Sequence, residues 1–153
     1  MVKKILIGLL VIFILIQFIR PEKNISTAAT PDDIFNHYPA SDSIKAMIKT
    51  SCYDCHSNNT KYPWYAEVQP VTWWLDHHIE EGKGELNFSE FAAFNARFKS
   101  HKLDEVMELV ENEEMPLKSY LISHKEAKLS DVQRKEIVKW ADEVRNVIKP
   151  REP

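Results

Sequence analysis

Two cysteines and a histidine stand together in Ser51-Cys52-Tyr53-Asp54-Cys55-His56. Cysteines with two residues between them, followed directly by histidine, form the attachment pattern of a c-type haem. Each sulfur can form a thioether to one former vinyl group of the porphyrin, and the two-residue gap suits the spacing of those groups. His56 follows at once, so its imidazole comes under the ring and takes the iron from one side. Cys52 and Cys55 are the only cysteines in the chain, so none is left for a disulfide or a second haem. A structural zinc site needs about four protein ligands, usually as two separated pairs, and no second pair exists. A thioredoxin-like redox pair wants a strand before it and a helix after it. Here a helical pattern precedes the pair and the polar loop Ser57-Asn58-Asn59-Thr60 follows.

The other face of the iron needs a second ligand. Methionine is usual in electron carriers, because a soft thioether favours the reduced iron. Of four methionines, Met1 is at the wrong end and Met47 lies on the helix that feeds the motif. Met107 belongs to an apolar stripe and reads as core. Met115 sits in Glu113-Glu114-Met115-Pro116-Leu117, where Pro116 holds it out of helical geometry. Met115 is therefore the expected distal ligand. His77 and His78 follow Pro70 on a helix, and His78 is the alternative ligand, which would give a bis-histidine iron of lower potential. Otherwise His77 is a surface residue and His78 bonds to a propionate or a backbone carbonyl. His124 is expected to brace the ligand loop, and His37 and His101 to lie at the surface. Tyr62, Trp64, Tyr65, Trp73 and Trp74 read mainly as packing, with Trp64 the candidate donor to a propionate. Glu80-Glu81 and Glu113-Glu114 read as solvated faces.

Composition narrows the function classes. Only Gly8, Gly82 and Gly84 occur, which removes phosphate-cradling loops and dinucleotide-binding turns. Neither Gly-x-Ser-x-Gly nor His-Glu-x-x-His is present. The net charge of −3 is uneven, because residues 1–20 hold Lys3, Lys4 and Arg20 and no acid. The remainder is more acidic than the whole, and haem propionates would add to that. Such a surface argues against nucleic acid and for a redox partner with a basic docking patch.

The elements that must position these residues are helical. Residues 1–20 open on Lys3-Lys4 and run apolar from Ile5 to Ile19 apart from Gln17. That run is long for a signal-peptide core and short for a span of about 20 residues. Arg20-Pro21-Glu22-Lys23 stands where cleavage would need small residues, so an uncleaved anchor is expected, with a cleaved signal as the alternative. No cysteine lies there to carry a lipid. Lys3 and Lys4 against Arg20 and Lys23 leave the orientation to the haem motif, since haem is attached outside the cytoplasm. The expectation is a single-pass segment in the cytoplasmic membrane, with the haem domain on the periplasmic or extracytoplasmic side.

Residues 21–41 carry Pro21, Pro31 and Pro39 without sustained periodicity and read as a linker. A domain follows over 42–149. Ser41 or Asp42 caps a first helix with Ile44, Met47 and Ile48 on one face. Pro70 opens a helix from Val71 to Glu81 that Gly82 and Gly84 end. Asn87 or Ser89 caps the next, through Phe91, Phe94 and Phe98. Leu103, Val106, Met107 and Val110 mark another. Ser130 and Gln133 form a capping box for a last helix with Ile137, Trp140, Ala141, Val144 and Ile148 on its apolar face and Pro150 as its stop. No strand alternation appears, so the fold class is all-α.

Cys52-x-x-Cys55-His56, then Met115-Pro116, then a capped final helix with an aromatic resembles mono-haem class I cytochromes c. The chain is also similar to a bacterial family of haem-binding domain proteins. That likeness is carried by Ser51 to Ser57, Trp64-Tyr65, His78, Gly82, Leu86-Asn87-Phe88-Ser89, Met115-Pro116, Tyr120, His124, Leu129-Ser130 and Trp140, and runs from the anchor to residue 149. Lys83 departs from it, since an arginine is frequent there, and a pairing with a propionate would be looser. The resemblance implies a cytochrome c-like helical domain around one covalent haem c. The function expected is electron transfer by a membrane-tethered carrier. The alternative is a haem sensor or peroxidase-like enzyme with an open or displaceable sixth site.

Overall fold

The computed structural model describes residues 1–148, and among them every element is helical. One isolated bridge, Ile25 to Asn59, is the sole extended pairing among these residues. Pro150 and the 149 boundary lie outside the described residues. The longer helices are α1 (Val2–Ile16), α3 (Asp42–Ser51), α5 (Val71–Glu85), α6 (Ala96–Glu111) and α8 (Asp131–Ile148). Short turns of helix, α2 (Ile34–His37), α4 (Tyr53–His56) and α7 (Lys118–Leu121), stand between them, with 3-10 turns at Trp64–Glu67, Phe88–Ala93 and Lys125–Ala127.

The core forms where the apolar stripes of α3, α6 and α8 meet. Ser41 caps α3 by accepting from the Ile44 amide at 3.2 Å, and Ile44, Met47 and Ile48 are buried as their spacing predicts. On α8 the Ser130 hydroxyl accepts from the Gln133 amide and the Gln133 side chain accepts from the Ser130 amide, the reciprocal pair of a capping box. Ile137, Trp140, Ala141, Val144 and Ile148 are all buried. They pack chiefly on α6, which contributes Leu103 and Val110. Each fully buried aliphatic side chain is worth about 1.5–3 kcal/mol relative to exposure. Trp140 also satisfies its indole N–H, which donates to the Pro39 carbonyl at 2.9 Å.

Three expectations differ from the structure. The helix opened by Pro70 does not stop at Gly82 and Gly84 but continues to Glu85. Gly82 is there for packing. A Cβ on it would stand 2.7 Å from the Cys55 carbonyl oxygen. The helix expected across Phe91, Phe94 and Phe98 is two elements. Asn87 caps the 3-10 turn Phe88–Ala93, and Asn95 caps α6 by accepting from the Phe98 amide. Residues 21–41, expected to be a free linker, are laid along the domain. The Asn24 side chain donates to the Ser57 carbonyl and to Thr60, and its amide donates to the Tyr62 hydroxyl. Further on, Ile34 is fully buried. Polar asparagines with specific partners give no periodicity, so the sequence pattern concealed this.

At the N-terminus α1 is 15 residues long with no buried residue. The single-pass anchor expected over residues 1–20 is not supported, since among the described residues no helix is long and apolar enough to cross a membrane.

Candidate functional site

Cys52, Tyr53, Asp54, Cys55 and His56 make one tight turn at the end of α3. The Cys55 and His56 amides both donate to the Cys52 carbonyl. Both cysteines are free and half-buried. Burial pushes the Cys52 thiol up to about 12 and the Cys55 thiol to about 11. These sulfurs are held as S–H. That is opposite to the lowered thiol of a disulfide-exchange pair. Thiols are what addition to a vinyl group consumes.

His56 is oriented by Leu86. Its Nδ1 lies 3.0 Å from the Leu86 carbonyl oxygen, which can only accept. The proton is thus on Nδ1, and the Nε2 lone pair is left for a metal. Burial lowers the imidazole's pKa, while bonds to backbone carbonyls oppose that, so the neutral ligating form is favoured. The edge of His56 also meets Phe88, with ring centroids 6.3 Å apart. Phe88 in turn stacks on Tyr53 at 5.5 Å.

The run Leu86-Asn87-Phe88-Ser89 therefore seats the histidine. Leu86 supplies the carbonyl, Asn87 caps the turn and bonds Asn58, Phe88 packs, and Ser89 accepts from the Asn58 amide. Those four residues form part of the family likeness, but no residue-type rule assigns them this role.

Asp54, between the two cysteines, is a second hub. Its carboxylate accepts from the Lys61 amide and, at 2.7 Å, from the Tyr120 hydroxyl. Burial, and then the bonded Asp54, raises the Tyr120 phenol, so Tyr120 stays the donor. Tyr120 lies flat on His124, with centroids 4.1 Å apart and planes 9° apart. Ser123 beside it bonds the Tyr65 hydroxyl at 2.7 Å. One continuous wall thus runs from the haem motif through Tyr120, His124 and Ser123 to Tyr65. His124 is held against Tyr120 and Ser123.

Met115 follows the C-terminus of α6. Glu113 adopts φ 60°, the left-handed turn that ends a helix, and the Glu114 and Met115 amides both donate to the Leu109 carbonyl. Met115 is half-buried and packs on the same apolar cluster as Cys52 and Tyr53. Met107 packs on it as well, from α6.

Neither Trp64 nor His78 bonds to His56 among the described residues. Trp64 is 81% exposed, with its edge on Tyr65. His78 lies beside Trp74 with its Nδ1 2.8 Å from the Trp74 carbonyl oxygen, one of the two partners expected for it. His77 and His101 are exposed and face Glu81 and Glu105. Lys83 donates to the Asn24 side chain.

These residues fit a haem. A neutral imidazole with Nε2 available, two protonated thiols on the preceding turn, and an aromatic wall with exposed apolar side chains at Trp64 and Ile122 suit a flat apolar ring. Among the described residues no three His, Cys, Asp or Glu side chains gather as a bare metal site. No curated protein and no solved structure matches the chain. A family model described as a haem-binding domain matches residues 11–143. That span is most of the chain and includes Cys52, Cys55, His56, Tyr120 and Met115, so the chain belongs to the haem-binding domain family.

Proposed function

We propose that the chain is a membrane-attached mono-haem c-type cytochrome that carries electrons. The observation that supports this most is the setting of His56. It directly follows the cysteine pair, with Nδ1–H donating to the Leu86 carbonyl and the Nε2 lone pair left for a metal. Cys52 and Cys55 would hold one haem c covalently. Each thiol would add across a vinyl group, its S–H bond and the vinyl π bond giving way to one S–C and one C–H bond, with no oxidant or leaving group needed. The bound haem supplies an iron that passes between the ferric and ferrous states.

The chain's own residues set the terms of that exchange. Leu86 fixes the plane of His56 and raises its basicity through the shared proton. Met115 offers a soft thioether from an apolar setting, which favours the reduced iron. Tyr120 ties the segment after Met115 to Asp54, and so to the turn that carries both cysteines. With His56 and Met115 as its two ligands, a bound iron would change state with little rearrangement. The acidic surface suits a partner with a basic patch. Residues 1–20 attach the domain to the bacterial cytoplasmic membrane, with the haem on the periplasmic side.

Substitution at Met115 tests the carrier against the open-site sensor or enzyme. Thioether ligation of ferric haem gives a weak far-red absorption. Met115→Ala removes that band and lets the reduced protein bind carbon monoxide, while Met107→Ala leaves both properties unchanged. Ready uptake of carbon monoxide by the unaltered reduced protein overturns the closed-site reading. A closed iron without the far-red band transfers the distal role to His78, and His78→Ala then opens it.

A further inference from the structure

The end of α1 is clamped to the start of α5. Gln17 and Gln69 bond reciprocally, the Gln69 amide donating at 2.9 Å and the Gln17 side chain donating back to the Gln69 carbonyl at 3.3 Å. The Gln69 side chain and the Trp73 indole N–H both donate to the Ile19 carbonyl, at 2.8 and 2.9 Å. Arg20 and Lys23 both pair with Glu67. Gln69 itself is fully buried.

This clamp has exposed apolar residues around it. Phe18, Ile19 and Val68 are exposed, Trp73 is 37% exposed and Trp74 is 45% exposed. Pro70 is exposed among them. Water gains nothing from such a rim, and it is continuous with a helix that has no buried residue at all. The length of α1 bears on what covers it. Fifteen residues rise about 22 Å, against about 30 Å for a bilayer's hydrocarbon core, a shortfall of about 8 Å. Interfacial apolar faces sink about 5–10 Å into a bilayer, and tryptophan is enriched at that depth.

We infer that Phe18, Ile19, Val68, Pro70, Trp73 and Trp74 form a bilayer-contact surface that seats the haem domain directly in the headgroup region of a phospholipid membrane. The domain does not swing on a tether. The clamp sets the rim beside the end of α1, so the rim and the helix, which is too short to cross the bilayer, meet the headgroup region together. The inference rests on the membrane attachment proposed above and adds a fixed pose to it.

The full haem-loaded chain is reconstituted into phosphatidylcholine–phosphatidylglycerol vesicles, with plain lipids or with lipids brominated near the carbonyl end of the acyl chain. Two variants are compared by tryptophan emission. Trp64→Phe keeps Trp73, Trp74 and Trp140. The triple variant Trp64→Phe/Trp73→Phe/Trp74→Phe keeps only Trp140, which is buried. Each variant is compared between lipid types in the haem-loaded form, where haem quenching scales down the bromine effect without abolishing its sign. Bromine lowers emission of the first variant, as rings at interface depth require, and leaves the second unchanged. A chain that floats with the vesicles while both variants are equally unquenched overturns the seated pose and leaves the attachment standing. A chain that does not float overturns both.

Discussion

Asp54 and Tyr120 show what a single pair contributes to the site. A phenol donating to a carboxylate at 2.7 Å is a charge-assisted hydrogen bond, worth more than a neutral one. It joins residues 66 positions apart and couples the haem turn to the segment that follows Met115. Tyr120→Phe keeps the ring stack on His124 and removes only the hydroxyl. The expected cost is about 1.5–3 kcal/mol, the range for hydrogen bonds to charged groups, read as a lower midpoint in thermal unfolding. The loosened loop also admits carbon monoxide faster than the unaltered protein does. Little of this pair was legible in advance. Cys52, Cys55 and His56 announce themselves because their chemistry depends on three neighbouring residue types. The Leu86 carbonyl carries no residue-type signal, and Tyr120 meets Asp54 only after the chain has folded. His124 stacks on Tyr120, a neighbour close in sequence, so that contact is local.

Helix α5 decides how closely the motif can be approached. Gly82 faces Cys55, and Gly84 faces open space. The two glycines therefore give opposite results on substitution by alanine. Gly82→Ala gains helix propensity but drives a Cβ to 2.7 Å from a backbone oxygen that cannot rotate away. Overpacking of that kind costs about 1–3 kcal/mol, more than the propensity gain. Gly84→Ala meets nothing within 4 Å and stabilises by about 0.5–1 kcal/mol. Chemical denaturation of the two variants checks the sign of each. Sequence pattern reads both glycines as helix terminators, because it registers conformational freedom and not a neighbour. The same reasoning reads α3 and α8 correctly. Their caps and stripes are local, and Ser41, Ser130 and Gln133 act where spacing puts them. Across residues 87–111 the aromatic spacing of Phe91, Phe94 and Phe98 imitates one helix, while Asn95 starts a new one.

At the scale of the whole molecule, three helices build an apolar core and the residues before and after the haem motif are strapped to it. Asn24 and Ser26 bond the loop after His56, and the Tyr53 hydroxyl reaches Asp33. Cys52, Tyr53 and Met115 all pack on the core cluster, so a haem held there would extend that core. The all-α class was legible from periodicity alone. The strapping was not, because it depends on asparagine side chains in a stretch rich in proline. Covalent attachment of one haem at Cys52 and Cys55 is the claim on which the rest depends. The most direct measurement is the intact mass of the purified chain under denaturing conditions. The account predicts one species, the chain plus a single haem, with Cys52→Ala/Cys55→Ala shifting it to the bare polypeptide. A bare polypeptide mass from the unaltered protein, with haem released into the denaturing solvent, would contradict it.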